Sequence, residues 1–130
     1  MSTSVKFTTP LVGLEPLTDF RMSPVDGAHG LYSLRSEERD DLRLFVLDAA
    51  VHLPTYTPVI TDEQSARLDL VDAAEAAVYV VVNPGKQETT VNLLAPIVLN
   101  TRTGLGAQFI LDGQDWPLRA PLTALTALTR

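Results

Sequence analysis

Cysteine is absent from this sequence. The absence excludes disulfide scaffolds, zinc sites built on thiolates, iron–sulfur clusters and thiol nucleophiles. None of these is needed for stability, because 130 residues with 45% apolar side chains can bury a core large enough for one domain. We therefore expect a globular domain that uses no metal and no cofactor.

A basic surface is also missing. The chain has 10 Lys and Arg against 16 Asp and Glu, a formal net charge of −6 and a pI near 4.7. Phosphate binding needs a basic face, so nucleic acid is not expected as a direct partner, whereas a basic protein is compatible with this charge. Apolar runs are far shorter than a membrane span, and the start lacks a signal-peptide pattern. We expect a cytoplasmic, monomeric protein that does not bind membranes.

Catalytic motifs are scarce. The only two histidines, His29 and His52, lie 23 positions apart, without the spacing of a helical metal site, and their surroundings favour solvated loops. The glycines Gly104 and Gly106 fit a hairpin turn better than a phosphate-binding loop. We predict no catalytic residue, no metal ligand and no enzymatic activity.

Short strands separated by turns dominate the pattern. The nine prolines and seven glycines divide the chain into pieces too short for long helices. Residues 76–83 form the clearest strand, and they predict a hairpin with 89–94 across a turn at 83–86. In 41–48, apolar residues occupy both faces over 44–47, which indicates a strand covered on both sides near its end. The remaining predicted strands are 5–7, 19–22, 31–35 and 96–100, the last paired with 107–112.

One helix is well marked. Thr61 and Gln64 form a capping box at its start, and the helix is expected near 62–68. Together the elements predict an all-β fold, a small and mostly antiparallel β-barrel-like domain with this one short helix. We assign residues 1–122 to this single domain and 123–130 to a tail, either a short helix or disordered.

Several polar and aromatic residues have both structural and functional interpretations. The acidic run 37–41 is typical of a solvated loop, with an acidic rim for a basic partner as the functional alternative. Asn92 and Asn100 bracket an apolar stretch, where amides most often bond a bend or turn. Tyr56 and Trp116 lie beside prolines, and core packing is the commoner role for them. From the residues alone, binding is favoured over catalysis.

The segment Asn92-Leu93-Leu94-Ala95-Pro96-Ile97-Val98-Leu99-Asn100 resembles the signature of the FliW family, the flagellar assembly factors. Weaker similarities follow in the family's order along nearly the whole chain, including Gly13-Leu14-Glu15 near the start and Leu44-Phe45-Val46-Leu47-Asp48 in the middle. The sequence departs from the family's pattern at Ser33, where a tryptophan is usual. The residues after Leu122 have no clear counterpart.

The resemblance implies a small antiparallel barrel that binds flagellin as an assembly chaperone and, in many bacteria, the translational regulator CsrA. CsrA presents a basic surface to RNA, so an acidic face is expected to attract it. For that face we nominate Glu15, Glu37, Glu38, Asp40 and Asp41. For the helical segments of flagellin we expect an apolar groove, with Tyr56, Leu94 and Ile97 as candidate lining residues.

Two other classes stay open at this level. The chain is either a small acidic interaction module with a different partner, or a structural subunit that assembles with its own copies. A large self-complementary apolar face and a concentration-dependent mass distinguish the second class.

Overall fold

Nine β-strands and two short helices form the described part of the chain. The computed structural model describes residues 2–11, 13–39, 41–53, 56–84, 88–111 and 113–121. The helices are α1 (Ala49–His52) and α2 (Asp62–Arg67), and a single 3₁₀ turn covers Ala73–Glu75. The strands are β1 (Thr3–Phe7), β2 (Asp19–Pro24), β3 (Leu31–Ser36), β4 (Arg43–Asp48), β5 (Ala76–Asn83), β6 (Thr90–Val91), β7 (Ile97–Asn100), β8 (Leu105–Gln108) and β9 (Ala120–Pro121).

Seven of these strands close into a barrel. The neighbours run β1-β2-β3-β4-β5-β7-β8, and β8 pairs with β1 to complete the ring. That last pair is parallel, and every other pair is antiparallel. The predicted all-β, mostly antiparallel barrel is therefore confirmed. Strand β5 pairs with β7 along its first half and with β6 at its end, and β9 adds to β6.

The barrel interior is filled by alternate side chains of the ring strands. Phe7 and Phe20 meet edge to face with their ring centroids 5.4 Å apart, and Tyr79 meets Tyr32 in the same way. Strand side chains alternate between faces, so a strand with one buried face contributes every second residue to this core. The buried residues of the interior are Val5, Phe7, Leu11, Leu17, Phe20, Met22, Leu34, Val46, Tyr79, Ile97 and Leu99.

The outer face of the barrel is also partly apolar. One outer cluster covers β4 and β5 with side chains such as Leu53, Tyr56 and Leu111. A second covers β7 and β8, where Leu68 packs against Val98. The connection from β4 to β5 and the chain after β8 supply these covering residues, which is why the two helices lie outside the ring.

The helix predicted near 62–68 is confirmed as α2. Thr61 Oγ1 accepts from the Gln64 amide at 3.1 Å, and Gln64 Oε1 accepts from the Thr61 amide at 2.9 Å, so the capping box is complete. The second helix, α1, was not predicted. It is one turn long, and the Asp48 carboxylate caps it by accepting from the Ala50 amide.

Two predicted strands have different limits in the structure. The segment predicted over 89–94 is a strand only at Thr90–Val91, because the Asn92 carboxamide oxygen takes the amides of Leu94 and Ala95. The partner of β7, expected at 107–112, is Leu105–Gln108, because the turn falls earlier at 101–104. Residues 85–87, which include half of the predicted turn at 83–86, and the tail from 122 onward lie outside the described residues.

Asn100 fixes the position of that turn. Its side chain is fully buried, and its oxygen accepts from the Arg102 amide at 2.9 Å. Its nitrogen donates to the carbonyl of Leu68 at 2.7 Å, so it also ties the end of α2 to the barrel. The structural interpretation of Asn100 and Asn92 as residues that bond turns is confirmed.

Replacing Asn100 by alanine is expected to destabilise the protein by about 2–3 kcal/mol, because buried amide and carbonyl groups lose their partners. Urea unfolding followed by circular dichroism measures the change. The matched control is Asn83→Ala, the same change at an exposed position, for which about 0.5 kcal/mol or less is expected. Equal losses in the two variants would contradict the assigned role of Asn100.

Candidate functional site: an apolar groove on the barrel wall

An open apolar groove lies on the outer face of β3, β4 and β5. Its volume is about 730 Å³. Its apolar lining comes from the strands and from the turn between β2 and β3, and His29, His52, Pro84 and Thr89 complete the rim. The apolar lining residues are Val25, Ala28, Leu31, Phe45, Leu47 and Val82.

Strand register brings the floor of the groove together. Phe45 pairs directly with Val82, and Leu47 pairs with Leu31, so these side chains share one face of the sheet. The other face of the same strand presents Leu44 and Val46 to the interior. Leu47 is buried by the outer cluster, whereas Phe45 and Val82 are only half-buried. The groove is therefore the part of an apolar outer face that the covering segments leave open.

The two histidines form one wall. Helix α1 places the His52 ring against the turn that contains His29, and His52 Nε2 lies 2.6 Å from the carbonyl oxygen of His29. A carbonyl oxygen only accepts, so Nε2 carries the proton in this contact. The ring also lies over Gly30, where an added Cβ would stand 2.6 Å from Nε2. His29 and His52, which the sequence did not relate to each other, therefore form one wall of the groove together.

Three of the acidic residues nominated from sequence, Glu37, Glu38 and Asp41, lie in the connection between β3 and β4. Glu38 Oε1 accepts from the Thr18 and Asp19 amides at 3.1 and 3.0 Å, and these bonds hold its pKa below the usual range. They attach the turn to the loop that contains Glu15. Glu37 pairs with Arg21 at 3.0 Å. Asp40 lies outside the described residues.

Arginines are interleaved with this cluster. Arg39 lies 2.8 Å from Asp41, and this hydrogen bond keeps the pKa of Asp41 low. The Glu15 carboxylate is exposed, and it accepts a long hydrogen bond, 3.4 Å, from the Gly13 amide. The structure thus brings the described acids to one end of the barrel, but their negative charge is partly paired. Whether they contact a partner stays a prediction.

The apolar candidates from sequence do not line the groove. The Tyr56 ring packs edge to face on Trp116, and its hydroxyl donates to the carbonyl of Leu93 at 2.6 Å. Burial raises the pKa of that hydroxyl. Leu94 is half-buried at the edge of the same outer cluster, and Ile97 faces the barrel interior. Their proposed contact with a partner stays a prediction, but the packing gives Tyr56 and Ile97 structural roles.

The nine-residue signature forms a bend followed by β7. Asn92 and Leu94 are half-buried, and the other seven residues, Leu93, Ala95, Pro96, Ile97, Val98, Leu99 and Asn100, are buried. The signature therefore forms a buried part of the barrel wall. Sequence reasoning missed the groove residues Phe45 and Val82, although the apolar outer face of β4 was the available signal.

Among the residues that the structure describes, no group of three or more His, Asp or Glu side chains is arranged to hold a metal ion. In that part of the chain, neither helix has the length and apolar character needed to cross a membrane.

These features define a class of protein: a small closed β-barrel with an apolar groove on its wall, the type of surface that takes an amphipathic segment. The family described as FliW protein matches residues 1–122, and the chain belongs to this family. A crystal structure of the flagellar assembly factor FliW superposes with a TM-score of 0.84 at 25% identity, covering 92% of this chain and 84% of that one.

Named relatives agree with this assignment. The flagellar assembly factor FliW of Thermosipho africanus is 29% identical over 122 residues, covering 92% of this chain and 84% of that protein. The protein of the same name from Clostridium kluyveri is 28% identical over 120 residues, covering 91% and 83%. The one from Desulfitobacterium hafniense is 34% identical over 91 residues, covering 68% and 60%. Membership in a family with these members supports a role in flagellar assembly.

Gly30→Ala is expected to destabilise the groove wall more than Gly27→Ala. Both glycines have positive φ, +84° at Gly30 and +81° at Gly27, so alanine introduces similar backbone strain at each position. An added Cβ contacts His52 and Val51 at Gly30, whereas at Gly27 it has no neighbour within 4 Å. Urea unfolding should show an excess loss of about 1 kcal/mol or more for Gly30→Ala. In a His52→Ala background the excess should shrink. If it persists unchanged, the His52 ring is not the wall of the groove.

Proposed function

We propose that the protein is a non-enzymatic, cytoplasmic flagellar assembly factor that binds flagellin as a chaperone. The observation that supports the proposal best is the open groove of about 730 Å³. The similarity to named flagellar assembly factors supports the same pathway. The groove gives the proposal a specific surface.

The chemistry of the groove suits an amphipathic helix. Its floor consists of aliphatic and aromatic side chains, with the two histidines and Thr89 at its rim. An amphipathic helix buries its apolar stripe in such a surface and leaves its polar face in water. The terminal segments of flagellin have this character. Phe45 is the largest side chain on the floor, and aromatic residues at the centre of an interface commonly contribute most of the binding energy.

The acidic end of the barrel favours a second partner, a CsrA-type regulator with a basic RNA-binding surface. The net charge of −6 attracts such a surface and makes association sensitive to salt. Binding there would antagonise translational repression without any contact between this protein and RNA. Together the two partners would couple flagellin synthesis to flagellum assembly.

Phe45→Ser should weaken binding of the flagellin C-terminal region at least tenfold, because the groove loses its aromatic floor. Calorimetric titration against the host's own flagellin segment measures the affinity, with micromolar or tighter one-to-one binding expected for the unchanged protein. Ile110→Ser is the control, since Ile110 is 52% exposed and does not line the groove.

Two outcomes would contradict the groove assignment. One is equal affinity in the Phe45→Ser and Ile110→Ser variants, provided that both unfold at similar urea concentrations. The other is no binding by the unchanged protein, together with no co-elution with full-length flagellin. The second outcome would favour a barrel that has a different partner, and a concentration-dependent mass would then indicate self-assembly.

A triple charge reversal should weaken CsrA binding and make it less dependent on salt concentration. The three changes are Glu15→Lys, Glu37→Lys and Asp41→Lys. Glu38 is left intact because it bonds the neighbouring loop. The control reverses Asp62, Glu63 and Asp115, which are exposed and lie outside the acidic end. Both variants change the formal net charge from −6 to zero. A difference in affinity between them therefore reflects where the replaced charges lie. Equal affinities and salt slopes would argue against the acidic end as the contact.

A further inference from the structure

The last described strand ends beside the groove. In the antiparallel pair of β6 and β9, Val91 lies opposite Ala120 and Thr90 lies opposite Pro121. Thr89, the residue before Thr90, lines the groove rim, so the described chain ends one residue along the strand from the groove. Ala120 belongs to the outer cluster that adjoins the groove.

The sequence after Pro121 matches the apolar chemistry of the groove. Nine residues follow, with leucines at 122, 125 and 128, alanines and threonines between them, and no acidic residue. Leucines three positions apart share one side of a helical turn. The segment therefore offers an apolar stripe with small or polar residues beside it, the pattern expected of a groove occupant.

The distance is within reach of this segment. From β9 to β4, on which Phe45 lies, the sheet order crosses β6 and β5. Three strand spacings amount to about 14 Å. Nine residues span up to about 30 Å when extended, so the segment can lie across the groove even when it is not fully extended.

We infer that residues 122–130 occupy the apolar groove of the same molecule and compete with an incoming partner segment. The competition rests on the proposed function, because it requires that the partner bind this groove; the docking itself does not. A partner then has to displace the leucine stripe, and its apparent affinity falls by the fraction of molecules in which the groove is occupied.

The chain has no cysteine, so a single thiol introduced at Ala28, in the groove wall, reports access to the groove. In the full chain, a thiol reagent should modify Ala28→Cys at least fivefold more slowly than the same variant with Leu125→Ser and Leu128→Ser. A tail with Thr126→Ser and Thr129→Ser instead should keep the protection. Val71→Cys, at a position 85% exposed outside the groove, should react equally with every tail.

Equal rates at Ala28→Cys for all tails would overturn the inference. Protection that grows with protein concentration would overturn it as well, since the occupant would then be the tail of a second copy. Titration with the flagellin segment separates the two proposals. If the unchanged tail gives Ala28→Cys no protection and the protein still binds flagellin, only tail docking fails. If protection is present and flagellin does not bind, only the proposed function fails.

Discussion

Closure of the barrel is the constraint on which the rest of the structure depends. The parallel pair of β1 and β8 and the antiparallel pair of β4 and β5 close the ring. Each ring strand therefore has a hydrogen-bonded neighbour on both sides. A barrel of seven strands has an interior just wide enough for side chains, and one alternate set of residues fills it. Apolar residues of the other set face outward and need their own cover.

The covering segments explain where the groove lies. The connection from β4 to β5 folds over the outer wall with α1 and α2, and the chain after β8 covers the neighbouring part. Between them, Phe45 and Val82 have apolar side chains but only partial cover. The contact of His52 with the turn at Gly30 forms one wall of the groove. The groove is the part of the apolar outer face that these covering segments leave exposed.

The polar residues that stand out in the sequence mostly act inside the molecule. Asn92 and Asn100 end strands by bonding backbone amides, and Glu38 attaches one loop to another. The segment most similar to the family is accordingly a buried part of the wall, distinct from the groove. The signature and the groove are separate because most signature residues are buried in the wall, and none of them lines the groove.

Local patterns in the sequence by themselves determined the all-β class, strand β5, the two faces of β4 and the capping box of α2, because alternation and capping depend on residues only a few positions apart. The tertiary structure decided the rest. The partners of Glu38 lie 19 and 20 positions away, and His52 reaches His29 across 23. Such contacts exist only once the ring has closed, since register and barrel curvature choose which distant residues meet. For the same reason, the sequence showed that Phe45 is apolar, whereas the packing of other segments decided that it would stay open.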